Sequence, residues 1–206
     1  GLVRSKIGNS PEILRYLWGA YAATLGDRAG FLEPTAERLE YEERLDRYGR
    51  NLQVWVYYHI LQDRALTLHA WGCNSPSIPA WQRYLVTGLF PVLRSFLRKA
   101  FRISETGYAK SVQHIESILA EADSALADGR VSILGGESIN YTDITLAAFS
   151  ALWLQPPQYG LEKADHVRVD RQRVPAAMRA DIERWIEAYP RATAFITRLY
   201  ETDRNS

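Results

Sequence analysis

The stretch that most constrains this chain runs from Leu134 to Ala148, LGGESINYTDITLAA. A glycine pair and several polar residues give way abruptly to an apolar run. Asn140 is a strong N-cap residue and Asp143 stands three residues on, a spacing that suits a reciprocal cap. The Asn side chain accepts from a first-turn N–H, while the carboxylate reaches back to the N–H of the cap residue and favours the positive end of the helix dipole. Behind this cap, Ile144, Leu146, Ala147, Ala148, Ala151, Leu152 and Leu154 make a helix apolar on most sides. Such a helix belongs in the middle of a bundle, so the expectation is an all-α fold with this segment as its central rod. Pro156 and Pro157 end it, because neither can continue the amide ladder.

The rest of the chain supplies helices to pack around the rod. Ser10-Pro11-Glu12-Ile13 reads as a helix start, with Ser10 as cap and Pro11 in the first turn, where no N–H is missed. Ile13, Leu14, Leu17, Tyr21 and Leu25 follow at helical spacing, and Gly26 to Gly30 is a stop and a linker. A second, long helix is expected from about Thr35 to Ala70, with Leu39, Leu45, Tyr48, Leu52, Trp55, Val56 and His59 as its inner stripe. Trp71 to Pro79 is a loop by its Gly, Ser and Pro content. Helical patterning returns from Trp81 to Phe101, where Pro91 is expected to kink or split the helix. Its Arg83, Arg94, Arg98 and Lys99, with Arg102 beyond, make this the most basic face, suited to solvent or to an anionic ligand. A helix from Thr106 to Ala127 buries Val112, Ile115, Leu119, Ala122 and Leu126. Gln158 to Val174 is an irregular connector whose Arg168, Arg171 and Arg173 are expected in solvent. Two last helices carry Met178, Ile182, Trp185 and Ile186, then Phe195, Ile196, Leu199 and Tyr200.

Composition limits what such a bundle does. With 47% hydrophobic and 12% aromatic residues in 206, there is material for one sizeable core. The net charge of +1 argues against nucleic acid or a membrane surface as the main partner. No apolar run is long enough for a spanning helix, no signal peptide is visible, and the lone Cys73 permits no intrachain disulfide, so a reducing cytoplasm is the expected location. Cys73 lacks a paired His or a Cys-x-x-Cys setting and reads as a small buried hydrophobe. His59, His69, His114 and His166 are too dispersed for a metal set, and neither a phosphate-cradling Gly-rich loop nor a Gly-x-Ser-x-Gly elbow occurs. The residues therefore name no catalytic group and no metal site.

Three segments together carry a family resemblance: Asn9-Ser10-Pro11-Glu12-Ile13-Leu14-Arg15-Tyr16-Leu17, the link and cap Gly136 to Asp143, and Pro175 to Tyr200. In that order they resemble glutathione S-transferases. The first looks like the last helix of the thioredoxin-like domain, and the other two look like the C-terminal helical domain, with Asn140 where Ser or Thr is usual. The resemblance implies that residues 1–30 are a remnant of the thioredoxin-like domain and its linker, and that residues 31–206 are a glutathione S-transferase C-terminal-like helical bundle. It is weak from Trp71 to Phe101, where the chain is longer than most members. It further implies that Asn9 and Ser10 hold the γ-glutamyl carboxylate of glutathione at a helix N-terminus, an arrangement sound in itself because free N–H groups bind carboxylates there. Trp55 or Tyr58 then faces the pocket for an apolar electrophile, although core packing is the plainer role for both. Asn140 and Asp143 are a structural cap.

The Tyr, Ser or Cys that activates the glutathione thiol in this family sits in a β-α-β segment not found in these 206 residues, and the chain, beginning Gly1-Leu2-Val3 with Met178 as its one methionine, reads as a processed chain or a piece of something longer. The expected function is conjugation or reduction of electrophilic small molecules with glutathione by a full-length form, possible as a homodimer, to which this chain supplies the helical wall of the substrate pocket. The alternative is a non-catalytic protein-interaction module of the same fold, as found beside translation factors and synthetases.

Overall fold

The computed structural model describes residues 9–75, 77–160, 168–169 and 171–203. Among them the chain is all-helical, with eight α-helices: α1 Ser10–Leu25, α2 Ala36–Ile60, α3 Arg64–Ala70, α4 Ala80–Ala100, α5 Glu105–Ala125, α6 Tyr141–Leu154, α7 Ala176–Ala188 and α8 Pro190–Arg198. None is long and apolar enough to cross a membrane.

Helix α6 stands at the centre. It packs against α2 and α8, and α2 and α8 in turn pack on α5. Leu146, Ala147, Ala151, Trp153 and Leu154 are buried. Ile144, expected in the core, is 45% exposed, on a strip of α6 that it shares with the exposed Ala148, one helical turn on. At the start of α6, Asn140 Oδ1 accepts from the Thr142 N–H at 2.9 Å and Asp143 Oδ2 accepts from the Asn140 N–H at 2.9 Å, a capping box. The other carboxylate oxygen of Asp143 accepts from the Ile133 N–H at 3.0 Å, which ties the preceding loop to the helix.

Three fully buried indoles knit the layers. Trp55 of α2 lies 4.9 Å from Trp185 of α7, and Trp153 of α6 lies 5.6 Å from the same ring. The Trp153 Nε1–H donates to the Tyr48 hydroxyl at 3.1 Å, which lies 2.8 Å from Ser150 Oγ. Gly49 of α2 meets the ring of Phe149, leaving no room for a larger side chain unless that ring moves.

The long helix expected from Thr35 to Ala70 is broken after Ile60. Asp63 caps the new helix α3 by accepting from the Leu66 N–H at 2.9 Å, and the Thr67 hydroxyl donates back across the break to the Ile60 carbonyl at 2.6 Å. Leu39, placed in the inner stripe by its spacing, is exposed, and Tyr41 is buried instead. Asn9, not Ser10, caps α1: its Oδ1 accepts from the Glu12 N–H at 2.9 Å, and Ser10 is the first helical residue. Helix α4 runs unbroken through Pro91.

Two helices stand outside this core. Helix α1 buries no residue and leaves Ile13, Tyr16, Tyr21 and Leu25 exposed. It is tied to the body through Arg15, which pairs with Glu42 at 2.5 Å and lies over the Tyr141 ring. Helix α4 buries Phe90 alone, outside the main hydrophobic cluster.

Candidate functional site

Two adjoining clefts open where the C-terminal end of α6 meets α7 and the end of α2. The larger, about 810 Å³, is lined by residues 152–155, by Arg168, Val169, Arg171, Gln172 and Val174, and by Met178, Arg179, Ile182 and Glu183 of α7. The smaller, about 270 Å³, is lined mainly by apolar groups, including Val56, Tyr57, Ile60, Ala70 and Trp71. Leu152, Gln155, Val169, Val174 and Met178 line both.

The clefts exist because α6 ends abruptly. Gln155 adopts a left-handed conformation (φ 45°), and Pro156 follows. The last carbonyls of a helix have no partner within it. The Leu154 carbonyl takes a hydrogen bond from Arg171 Nη2 at 3.0 Å, and the Pro157 carbonyl takes one from Arg168 Nη1 at 3.0 Å. Gln155 Oε1 accepts from the Val169 N–H at 3.3 Å. Of the connector arginines expected in solvent, Arg171 and Arg173 are exposed and Arg168 half-buried; Arg171 also closes the last carbonyl of the core helix, and Arg168 ties down the loop beyond it. The connector residues 161–167 and 170, His166 among them, lie outside the described residues. The combined site has an apolar floor and a cationic rim, which suits an apolar molecule bearing an acidic group. Among the described residues it places no nucleophile beside a base.

Around the buried Asp181 carboxylate lies a separate polar cluster. The Trp55 Nε1–H donates to Oδ2 at 2.8 Å and the Tyr108 hydroxyl donates to the same oxygen at 2.6 Å, while Arg184 pairs with Oδ1 at 2.9 Å. His59 Nε2 stands 3.4 Å from Oδ2, a contact too poorly formed to count as a hydrogen bond. Burial alone pushes the Asp181 carboxyl up, but His59, Tyr108, Trp55 and the Arg184 charge outweigh it and hold it down to about 2. Burial raises the Tyr108 phenol, and the neighbouring Asp181 raises it further. A carboxylate this firmly ionised and fully engaged is a packing device; it has no proton to give near neutral pH.

The residues singled out from sequence are dispersed. Asn9 and Ser10 are exposed at the start of α1, and the Asn9 side chain is spent on its own helix. Trp55 is fully buried and bonded to Asp181. Tyr58 stacks on Tyr108, 4.3 Å between ring centres. Neither Trp55 nor Tyr58 lines either cleft, whereas the adjacent Tyr57 lines the smaller one. Cys73 is buried. Among the described residues no cluster of three His, Cys, Asp or Glu side chains is arranged to hold a metal ion.

Comparison with family models, with curated proteins and with solved structures found no match for this chain.

Proposed function

We propose that this chain is the helical part of a glutathione S-transferase-like protein of the cytoplasm, which in its full-length form conjugates or reduces electrophilic small molecules with glutathione. The observation that carries the reading is the setting of α6: a buried helix, locked at its start by Asn140 and Asp143 and reached from a glycine link, with α2 and α8 packed against it and α5 behind them. Helix α1 adds support. It stands off the bundle with Ile13, Tyr16 and Tyr21 uncovered, as befits a helix whose own layer lies elsewhere. In this reading Asn9 and Ser10 at its start meet the γ-glutamyl carboxylate, and the chain contributes apolar walls for the co-substrate rather than the thiol-activating group. The test is titration calorimetry of glutathione into the longest natural form, paired with a turnover assay using an aryl halide. Micromolar to millimolar binding with thiol-dependent turnover is expected. Absence of both sinks the proposal.

The non-catalytic interaction module is a second reading. It is favoured by the uncovered apolar side chains of α1, which suit a protein partner as well as a missing layer. It predicts no glutathione binding at all, together with a stable complex with a protein partner in which Tyr16 and Tyr21 become protected from labelling.

A further inference from the structure

Helix α4 is amphipathic in the wrong direction for a core helix. Trp81, Tyr84, Leu85, Leu89, Val92 and Phe96 fall at i, i+3, i+4, i+8, i+11 and i+15, a spacing that puts them on one face. That face is outward: Tyr84 is 77% exposed and Phe96 67%. The helix is held to the body from its other side, by Phe90 against Trp71 and by Arg64 and Arg94, which hydrogen-bond across to and from α4. A stripe of six large apolar side chains, running from Trp81 to Phe96 over about 24 Å of a 21-residue helix, is far more than scattered surface hydrophobicity.

Charge says what covers it. From Ala80 to Arg102 there is no Asp or Glu, but five cations: Arg83, Arg94, Arg98, Lys99 and Arg102. The last three are exposed, and none is in an ion pair among the described residues. The net charge of +1 for the whole chain hides this local excess. The stripe is also a ridge on an outlying helix, not a groove, so it offers a partner helix no slot. A second copy of α4 would bring the same unpaired cations and no counter-charge. We infer that α4 is an in-plane anchor for an anionic phospholipid bilayer, with Trp81, Tyr84 and Phe96 sinking into the headgroup boundary and Arg98, Lys99 and Arg102 meeting lipid phosphates. Aromatic and aliphatic groups on one face, with arginine and lysine beside them, are what interfacial helices use.

The test is flotation of the purified chain with vesicles of phosphatidylcholine containing roughly a third phosphatidylglycerol, against phosphatidylcholine alone. Binding to the mixed vesicles, weakened by salt and far weaker on the neutral ones, is expected. Val92→Glu or Phe96→Glu should abolish it with circular dichroism and melting unchanged, since both side chains already face outward. Arg98→Gln with Lys99→Gln should weaken it about thirtyfold without touching the stripe. No binding to anionic vesicles, or binding equal on both vesicle types and indifferent to the Arg98/Lys99 change, overturns the inference. So does a concentration-dependent dimer that Val92→Glu dissolves, which assigns the stripe to a second copy.

Discussion

Arg64 donates through Nη2 to the carbonyl oxygen of Thr87 at 2.6 Å. Thr87 stands four residues before Pro91, so its carbonyl is the one that a proline at position 91 leaves without an amide partner. A guanidinium from α3 fills the gap, and the helix is not split at the proline. The same group lies over the Phe90 ring, 6.0 Å from its centre, and so braces the single buried contact of α4. Arg64→Ala should therefore loosen the middle of α4, by about 1 kcal/mol. In a Pro91→Ala background the Thr87 carbonyl regains a backbone donor, and the same Arg64→Ala change should cost less. Amide hydrogen exchange across residues 88–95 reads the difference; equal costs in both backgrounds would separate Arg64 from the proline.

Asp181 is the second position where one side chain holds several elements. Asp181→Ala leaves the Trp55 indole N–H and the Tyr108 hydroxyl without their acceptor, in a site where the carboxylate is 5% exposed. The expected loss is about 3 kcal/mol in urea unfolding. The sign of the pH dependence follows from the direction of the shift. A folded value of about 2, below the ordinary 3.8, means that the native state favours the ionised form. Its stabilisation, on the order of 2 kcal/mol, is present above about pH 4 and is lost as the pH falls toward 2. Asp181→Asn should flatten the acid limb of the stability profile, and an unchanged limb would contradict the assignment.

Helix α8 begins at Pro190 with no side-chain cap of its own. Asp123, on α5, supplies one from a distance: its Oδ1 accepts from the Arg191 N–H at 2.6 Å and the Ala192 N–H at 3.1 Å, and its Oδ2 pairs with the Arg191 guanidinium at 2.8 Å. Asp123→Ala should cost about 2 kcal/mol, as for loss of a good cap. Asp123→Asn, which keeps one acceptor oxygen, should cost roughly half of that in the same unfolding assay. If the two variants fall equally far, the backbone bonds are not what Asp123 contributes.

These relationships mark where the sequence is legible. The cap of α6 can be read in advance because Asn140, Thr142 and Asp143 are near neighbours, and local hydrogen bonds need no knowledge of the fold. Most of the inner faces of α2 and α5 follows from spacing, since Leu45, Tyr48, Leu52 and Trp55, like Ile115, Leu119 and Ala122, recur at helical period, whereas in the first turns of α2 Tyr41 is buried and the expected Leu39 exposed. What the indole of Trp55 bonds to cannot be read that way, because its partner is 126 residues off. The break at Ile60 had a signal, Asp63 as a cap, masked by the apolar Leu61 and Leu66 that carry the pattern across it. The clefts have no motif; they arise where α6 runs out and Arg171 closes its last carbonyl. The stripe on α4 is visible in the sequence as a helical face, but only the structure tells that it points outward.

The capping box itself gives the last prediction, and its pH sign is opposite to that of Asp181. Burial raises the Asp143 carboxyl above its usual 3.8, although N–H groups of Asn140 and Ile133 and the Ser132 side chain act against the rise. The folded state thus favours the protonated acid more than the unfolded chain does. The associated stability is full below about pH 4 and declines as the pH climbs through the raised folded value. Asp143→Ala strands two buried N–H groups and should cost about 3 kcal/mol; Asn140→Ala, which frees the Thr142 amide and Ser132, should cost about 2. Asp143→Asn should remove the decline just above pH 4 while leaving the acid limb governed by Asp181 intact. Neither Asn140→Ala nor Asp143→Asn should alter ligand binding in the longest natural form, provided the measurement is made well below the melting temperature of each variant. A change in affinity with the fold preserved would move these two residues from architecture to chemistry.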